Sequence, residues 1–251
     1  MPFNLTFDNL GEAAELEFGL LPESHAVGGH PSVTRALPRI LELLADLPAT
    51  FFIEGWNCEA YPDAIRTIAA HGHEIALHGW RHERWSRLDE GRERAHLERS
   101  LQAFARLGMK PVGFRPPGGA LTPRSTDEMR RLGFTYCSAA DRPYGQSEGL
   151  ASLPFAWQHV DAYHLDPFLG PLRRTRGEGE APLPLSSWRD ALRDAVAVCT
   201  ETGGYANVIF HPYLLVEEER LAVLADLLRR LRSEKRLGVV RCREVAASLA
   251  A

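Results

Sequence analysis

Lysine is almost missing from this 251-residue chain, with Lys110 and Lys235 the only two. Arginine supplies the remaining positive charge, a bias we attribute to base composition and give no functional weight. Acidic residues outnumber basic ones, 33 to 29, for a formal net charge of −4. No basic stripe is left to hold a nucleic acid, so such partners are not expected. No apolar run is long enough to cross a bilayer. Residues 1–7 read as a strand, not as a basic segment followed by an apolar leader. We therefore expect a cytoplasmic protein with no membrane partner. Cysteine is sparse too: Cys58, Cys137, Cys199 and Cys242 lie far apart. They lack the paired spacing of a metal site and, in a reducing compartment, read as buried thiols. No Gly-rich phosphate loop follows the first strand, which removes the main support for a dinucleotide fold.

What is present is an ordinary globular composition, 45% hydrophobic and 25% charged, so disorder is not the expected state. The length suits one large α/β domain covering residues 1–251. Short apolar strands are predicted at 5–7, 49–53, 74–77, 112–114, 135–138, 207–210 and 238–241, with another extended stretch in 153–160. Helices are predicted between them, at 38–47, 62–70, 90–107 and 123–132. Pro62 suits a first helical turn, and Gly108 and Gly133 suit helix stops. Ser187 and Asp190 have the spacing of an N-terminal capping pair. Leu221, Leu224, Leu228 and Leu231 form one helical stripe. Strand–helix alternation predicts parallel strands joined by crossover helices, in a closed or nearly closed barrel, with an open doubly wound sheet as the alternative. Residues 141–185 are rich in Pro and Gly and poor in helical periodicity, and read as a functional excursion or a mobile surface loop.

Polar residues recur just after the predicted strands, where a parallel barrel gathers its active site. Asp8 and Asn9 follow the first, His78 and His82 the third, Arg115 the fourth, Asp141 the fifth, and His211 a late one. His78 and His82 are four residues apart. On a helical turn both imidazoles would project to one side and could share a metal ion. They read equally well as surface or capping histidines, since His71 and His73 stand close by. Asp8 is either a general base or half of a turn-forming Asp-Asn pair. Arg115, before two prolines, can grip a carboxylate at two points or form a surface ion pair. His211 is held extended by Pro212, as a rim imidazole or merely a strand terminus.

Taken in order, these segments resemble the NodB-homology polysaccharide deacetylases. Thr6–Asn9 (TFDN) is similar to the family's TFDD, and His78–His82 (HGWRH) to its H-S/T-x-x-H. Arg115–Gly119 (RPPGG) is similar to R-x-P-x-G, and Val208–Pro212 (VIFHP) to the late histidine motif. The stretches ATFFIEG at 49–55 and GHEIALHG at 72–79 are also typical. The likeness runs from about residue 5 to 246.

The resemblance implies a distorted barrel of roughly seven parallel strands and a divalent metal, zinc above all. It implies Asp8 as base, Arg115 as the residue that orients it, and His211 as acid. His78 and His82 become metal ligands, with Asn9 at the third ligand position. Ile209 lines the acyl pocket, and Asp161, Trp80 and Pro117 are further expected substrate contacts. Trp56, Trp85 and Trp157, like Trp80, are open to sugar stacking or to core packing.

The departures are specific. Asn9 stands where the family has a second Asp, which weakens the expected metal site. Gly79 replaces the Ser or Thr between the histidines. The D-x-x-D-W motif is absent, with Asp141 and Asp161 as loose substitutes. These features resemble an allantoinase-like, cyclic-imide-hydrolysing branch. Three functions are thereby expected in order: metal-assisted deacetylation of an N-acyl substrate such as an N-acetylated sugar, hydrolysis of a cyclic amide or ureide, and weak carbohydrate binding on a retired enzyme scaffold. The partner is a small molecule or an oligosaccharide, and self-association is left open.

Overall fold

The computed structural model describes residues 1–147 and 149–250. Nine strands are found among them: β1 (Pro2–Asp8), β2 (Thr50–Ile53), β3 (Glu74–Leu77), β4 (Gly113–Phe114), β5 (Tyr136–Cys137), β6 (Gly145–Ser147), β7 (Leu150–Ser152), β8 (Ala206–Phe210) and β9 (Gly238–Val239). Their order is β6-β7-β5-β4-β3-β2-β1-β8, with β9 beside β1. All pairings are parallel except the β6–β7 hairpin. The sheet curls into a partly closed barrel. A single parallel bridge, Ala140 with Phe155, extends the β5–β7 pairing, and another, Val160 with Ile209, reaches β8 across the gap that follows β7. The extended stretch expected at 153–160 is thus two bridge points flanking a 3-10 turn at Trp157–His159.

Helices pack outside the sheet. The segment Pro62–Ala70 forms as expected, while Glu90–Arg106 and Ser125–Arg131 come out slightly shorter than predicted. Asp89 caps the second of these, its side chain accepting from the Arg92 amide at 2.9 Å. The four leucines of the predicted stripe are buried on one face of Glu218–Ser233. The Ser187–Asp190 cap is corrected. That helix runs Leu185–Thr202, starts ahead of Ser187, and has no side-chain cap. Segments without a strong period also become helical, among them Ala13–Glu17, Asn57–Ala60, Asp161–Leu165, Gly170–Thr175 and Cys242–Ala250.

Strand β1 explains the unusual interior. Phe3, Leu5 and Phe7 alternate with Asn4, Thr6 and Asp8, yet all six are buried. Such a strand is covered on both faces. The aromatic face belongs to the main hydrophobic core, where the Phe7 ring lies 4.7 Å from Phe51 and 5.6 Å from Phe210. The polar face turns into the barrel, where Thr6 donates to the Val208 carbonyl at 2.7 Å. The barrel lumen is therefore polar in its upper part, and this is where the site forms. No described helix is long and apolar enough to cross a membrane.

The Pro- and Gly-rich excursion is ordered around one buried cation. Arg173 is fully buried and donates to the backbone carbonyls of Tyr163 (2.6 Å), Asp166 (3.0 Å) and Glu180 (2.6 Å). Secondary-structure periodicity cannot reveal such an anchor. Glu148, within this excursion, lies outside the described residues. Replacing Arg173 by Met should lower unfolding free energy by at least about 1.5–3 kcal/mol, the scale of one charge-assisted bond lost. Urea denaturation measures this, and an unchanged midpoint would show that the excursion is anchored elsewhere.

Candidate active site

Five strands deliver polar side chains to one end of the barrel. Asp8 is the last residue of β1. His78 follows β3, Arg115 follows β4, Ser138 follows β5, and His211 follows β8. Arg115 connects most of them. It is 1% exposed, and all five of its N–H donors are engaged. One terminal nitrogen donates to Asp8 Oδ1 at 2.5 Å and Thr6 Oγ1 at 2.9 Å. The other donates to Ser138 Oγ at 2.9 Å and Asn207 Oδ1 at 3.2 Å, and Nε donates to Ser138 Oγ at 3.2 Å. The guanidinium carbon sits 3.9 Å from the centre of the Phe52 ring. Asp8 is thereby held from one side, leaving Oδ2 free of the arginine.

The Arg115 backbone organises the neighbouring loop as well. Its carbonyl accepts from His78 Nδ1 at 2.8 Å. That bond fixes the proton on Nδ1 and leaves the Nε2 lone pair, which lies 3.9 Å from Asp8 Oδ2. Burial lowers the pKa of His78 to about 3, and burial together with the neighbouring His78 lowers that of His82 to about 3. Both imidazoles are neutral at physiological pH. Their ring centres are 5.0 Å apart.

The expectation of a helical turn is corrected: His78 and His82 lie in an irregular loop, with left-handed backbone at Gly79 (φ 76°) and His82 (φ 72°). The loop is held by Glu83, which is buried and accepts from the amides of Trp80 (3.0 Å) and Arg81 (2.8 Å). A β-carbon on Gly79 would sit 2.6 Å from Glu83 Oε2 and 3.0 Å from Pro117 Cγ. This is the physical reason for glycine where the resemblance expects Ser or Thr.

His211 is fixed by Asp161. Oδ1 of Asp161 accepts from His211 Nδ1 at 2.5 Å, and Oδ2 accepts from the His211 amide at 2.6 Å. Burial alone would lower the pKa of His211. The charge and hydrogen bond of Asp161 outweigh it, Asp8 and Asp166 add to them, and the net shift is upward. Asp8 and His211 thus share one electrostatic neighbourhood.

Several expected substrate contacts are placed differently. Asp161 is fully buried with both oxygens committed, so it stands behind His211. Trp80 is 3% exposed, and the Arg99 guanidinium covers its ring at 3.7 Å. Trp85 is core, 4.7 Å from the Phe114 ring. Pro117 is buried beside Gly79. Ile209 is buried in a cluster with Phe155, Val160, Tyr163 and Leu214. Asp141 is exposed and paired with Arg176. Sequence reasoning missed Thr6, Ser138 and Asn207, and also Glu83. For Thr6 the signal was there, since the alternating polar positions of β1 place it on the side of Asp8.

His78 Nε2 carries a free lone pair. His82 Nδ1 and Asn9 Oδ1 are buried without a hydrogen-bond partner. Two neutral imidazoles and an amide oxygen fit a divalent cation. The set has no anionic member, and among the described residues no three His, Cys, Asp or Glu side chains are grouped to hold a metal. The fit is that of a weak site.

Comparison with known proteins places this geometry in a family. A family profile described as polysaccharide deacetylase matches residues 4–137. A peptidoglycan deacetylase-like protein of Gibberella zeae is 35% identical over 88 residues, covering 35% of this chain and 26% of that protein. Chitin deacetylase 1 of Saccharomyces cerevisiae is 37% identical over 87 residues, covering 34% and 29%. The chain thus spans less than a third of the length of these two relatives. Among solved structures, a Mycobacterium smegmatis protein of polysaccharide-deacetylase type superposes with a TM-score of 0.81 at 25% identity, over 99% of this chain and 90% of that one. The PuuE allantoinase shares the fold, with a TM-score of 0.78 at 21% identity, over 98% and 89%. The chain belongs to the polysaccharide deacetylase family.

Proposed function

We propose that this chain hydrolyses a carbon–nitrogen bond other than a peptide bond, removing the acyl group from an N-acyl substrate such as an N-acetylated sugar. Residues 1–251 act as one catalytic domain in this reading, and the cytoplasm is its site of action. The observation that carries it is a pair of held groups, Asp8 gripped by Arg115 and His211 gripped by Asp161. Amide hydrolysis needs a base to activate water and an acid to protonate a poor leaving amine. Asp8 Oδ2, free of the arginine, takes the proton from the attacking water. His211 donates Nδ1–H to Asp161, which leaves Nε2 to give its proton to the departing nitrogen. Arg115 keeps Asp8 aimed, and Asp161 keeps His211 aimed and favours its charged form. His78, His82 and Asn9 would hold a divalent ion, zinc foremost. When bound, it supplies Lewis-acid polarisation of the acyl carbonyl.

A second reading uses the same pair on a cyclic amide or ureide. Asn9 favours it, because a site without a carboxylate ligand relies less on the metal. Turnover of an N-acetylated oligosaccharide against a small cyclic ureide separates the two. Turnover of neither would favour a binding protein.

Asp8→Asn and His211→Ala should each lower kcat by roughly 10²–10⁴, the usual contribution of a positioned base or acid. Near-normal turnover in a variant folded by circular dichroism removes that residue from the mechanism.

The pH profile checks the role of Asp161. His211 must be protonated to act as an acid, so activity falls as pH rises through its raised pKa. Asp161→Asn removes the neighbour that raises it. The alkaline limb of kcat should therefore move to lower pH, and a limb that stays in place refutes this coupling.

Zinc titration of Asn9→Asp should show tighter binding than the parent protein, since a carboxylate adds charge to a neutral donor set. Equal affinity would place Asn9 outside the ligand sphere.

A further inference from the structure

Glu54 is one of the buried acids that the reaction above leaves unused, and it lies against the loop that carries Asp8. Glu54 directly follows β2 and is fully buried. Its Oε2 accepts from Asn57 Nδ2 at 2.8 Å and, at 3.4 Å, from the amide of Leu10. Asn57 Nδ2 also donates to the Leu10 carbonyl at 2.7 Å. Both polar groups of the Leu10 backbone are therefore held by one pair of side chains. Leu10 follows Asp8 and Asn9 immediately. Asn9 sits in the left-handed region, φ 60°, which asparagine tolerates better than most residues but which persists only where the surroundings hold it. The far side of the loop is equally confined: a β-carbon on Gly11 would lie 2.5 Å from Tyr61 Cε2 and 2.9 Å from Asn57 Oδ1. Glu54 Oε1 has no partner. A buried acid left half satisfied costs free energy, so its retention calls for a reason.

We infer that Glu54 and Asn57 are positioning residues for the reaction proposed above. They grip the Leu10 backbone so that Asn9 holds its left-handed turn and Asp8 meets Arg115. Neither touches the reacting atoms. The clamp rests on the assignment of Asp8 as base, but its geometry can be read without any substrate. Burial above all raises the Glu54 pKa, to about 8, so the group is a neutral acid at neutral pH. A glutamine, neutral and of the same shape, should then replace it.

Two measurements test the clamp. The first is structural, on crystals of the full chain carrying Glu54→Ala. Asn9 should leave its positive φ and the Asp8–Arg115 bond of 2.5 Å should lengthen or break. An unchanged Asp8–Arg115 bond overturns the inference whatever the substrate proves to be. The second is kinetic, on an N-acetylated oligosaccharide. Glu54→Ala should lower kcat about 10²-fold, the effect of a misplacement near 1 Å, with KM little changed. Glu54→Gln should restore most of that loss. A purely structural role would lower the melting temperature and leave kcat per folded molecule intact, which overturns the proposal. So does a Glu54→Gln enzyme as damaged as Glu54→Ala, since that makes ionised charge the requirement. Should Glu54→Ala not fold, Asn57→Ala, which removes the second grip on Leu10, carries the same expectations. Absence of turnover in the parent protein defeats the proposed reaction but leaves the structural arm standing.

Discussion

The buried guanidinium of Arg115 is the interaction on which the site depends. A buried charge is costly unless it is paired and its donors are filled. Here β1 supplies Asp8 and Thr6, the end of β5 supplies Ser138, and β8 supplies Asn207. Three strands of the barrel are thus drawn to one group, which itself rides on the end of β4. The same residue reaches β3 through its backbone, by accepting from His78. Loss of any one acceptor would leave a buried donor unmatched, so polar residues fill a lumen that apolar ones usually fill in parallel barrels.

Burial alone would push every histidine near this lumen towards the neutral form. It does so for His78 and His82, where burial is the largest influence and the neighbouring Arg115 and histidines add to it. His211 escapes because two oxygens of Asp161 face it. One environment therefore yields two neutral donors suited to a cation and one imidazole suited to giving up a proton. Separation of titrating groups by their surroundings is how a single cleft supports both acid and base roles. The amide oxygen of Asn9 is also buried without a hydrogen-bond partner.

Local pattern made much of this legible. The apolar runs at Glu74–Leu77 and Ala206–Phe210, and the proline-led helix at Pro62–Ala70, form close to where their composition places them. The rule that sites gather at strand ends led directly to Asp8, His78, Arg115 and His211. What stayed hidden depends on partners far away in the chain. A spacing of four suggested a helical turn for His78 and His82, but Glu83 and left-handed Gly79 bend that segment into a loop. Asp161 looked like a substrate contact because nothing local says that His211, fifty residues on, will cover it. Ser187 had the chemistry of a cap, yet the helix begins earlier, where Pro184 already sets an extended approach. The excursion around Arg173 follows no period, since its order comes from three carbonyls converging on one side chain.

The account stands on Asp8 and His211 working as opposed members of one pair. The pH dependence of kcat/KM on an N-acetylated oligosaccharide tests this most directly, because it reports the free enzyme's essential base and acid together. A bell-shaped profile is predicted, with an acidic limb from a carboxylate and an alkaline limb above the ordinary histidine range. A profile that lacks the alkaline limb, or that places it below that range, would contradict the pairing of His211 with Asp161 and the mechanism built on it.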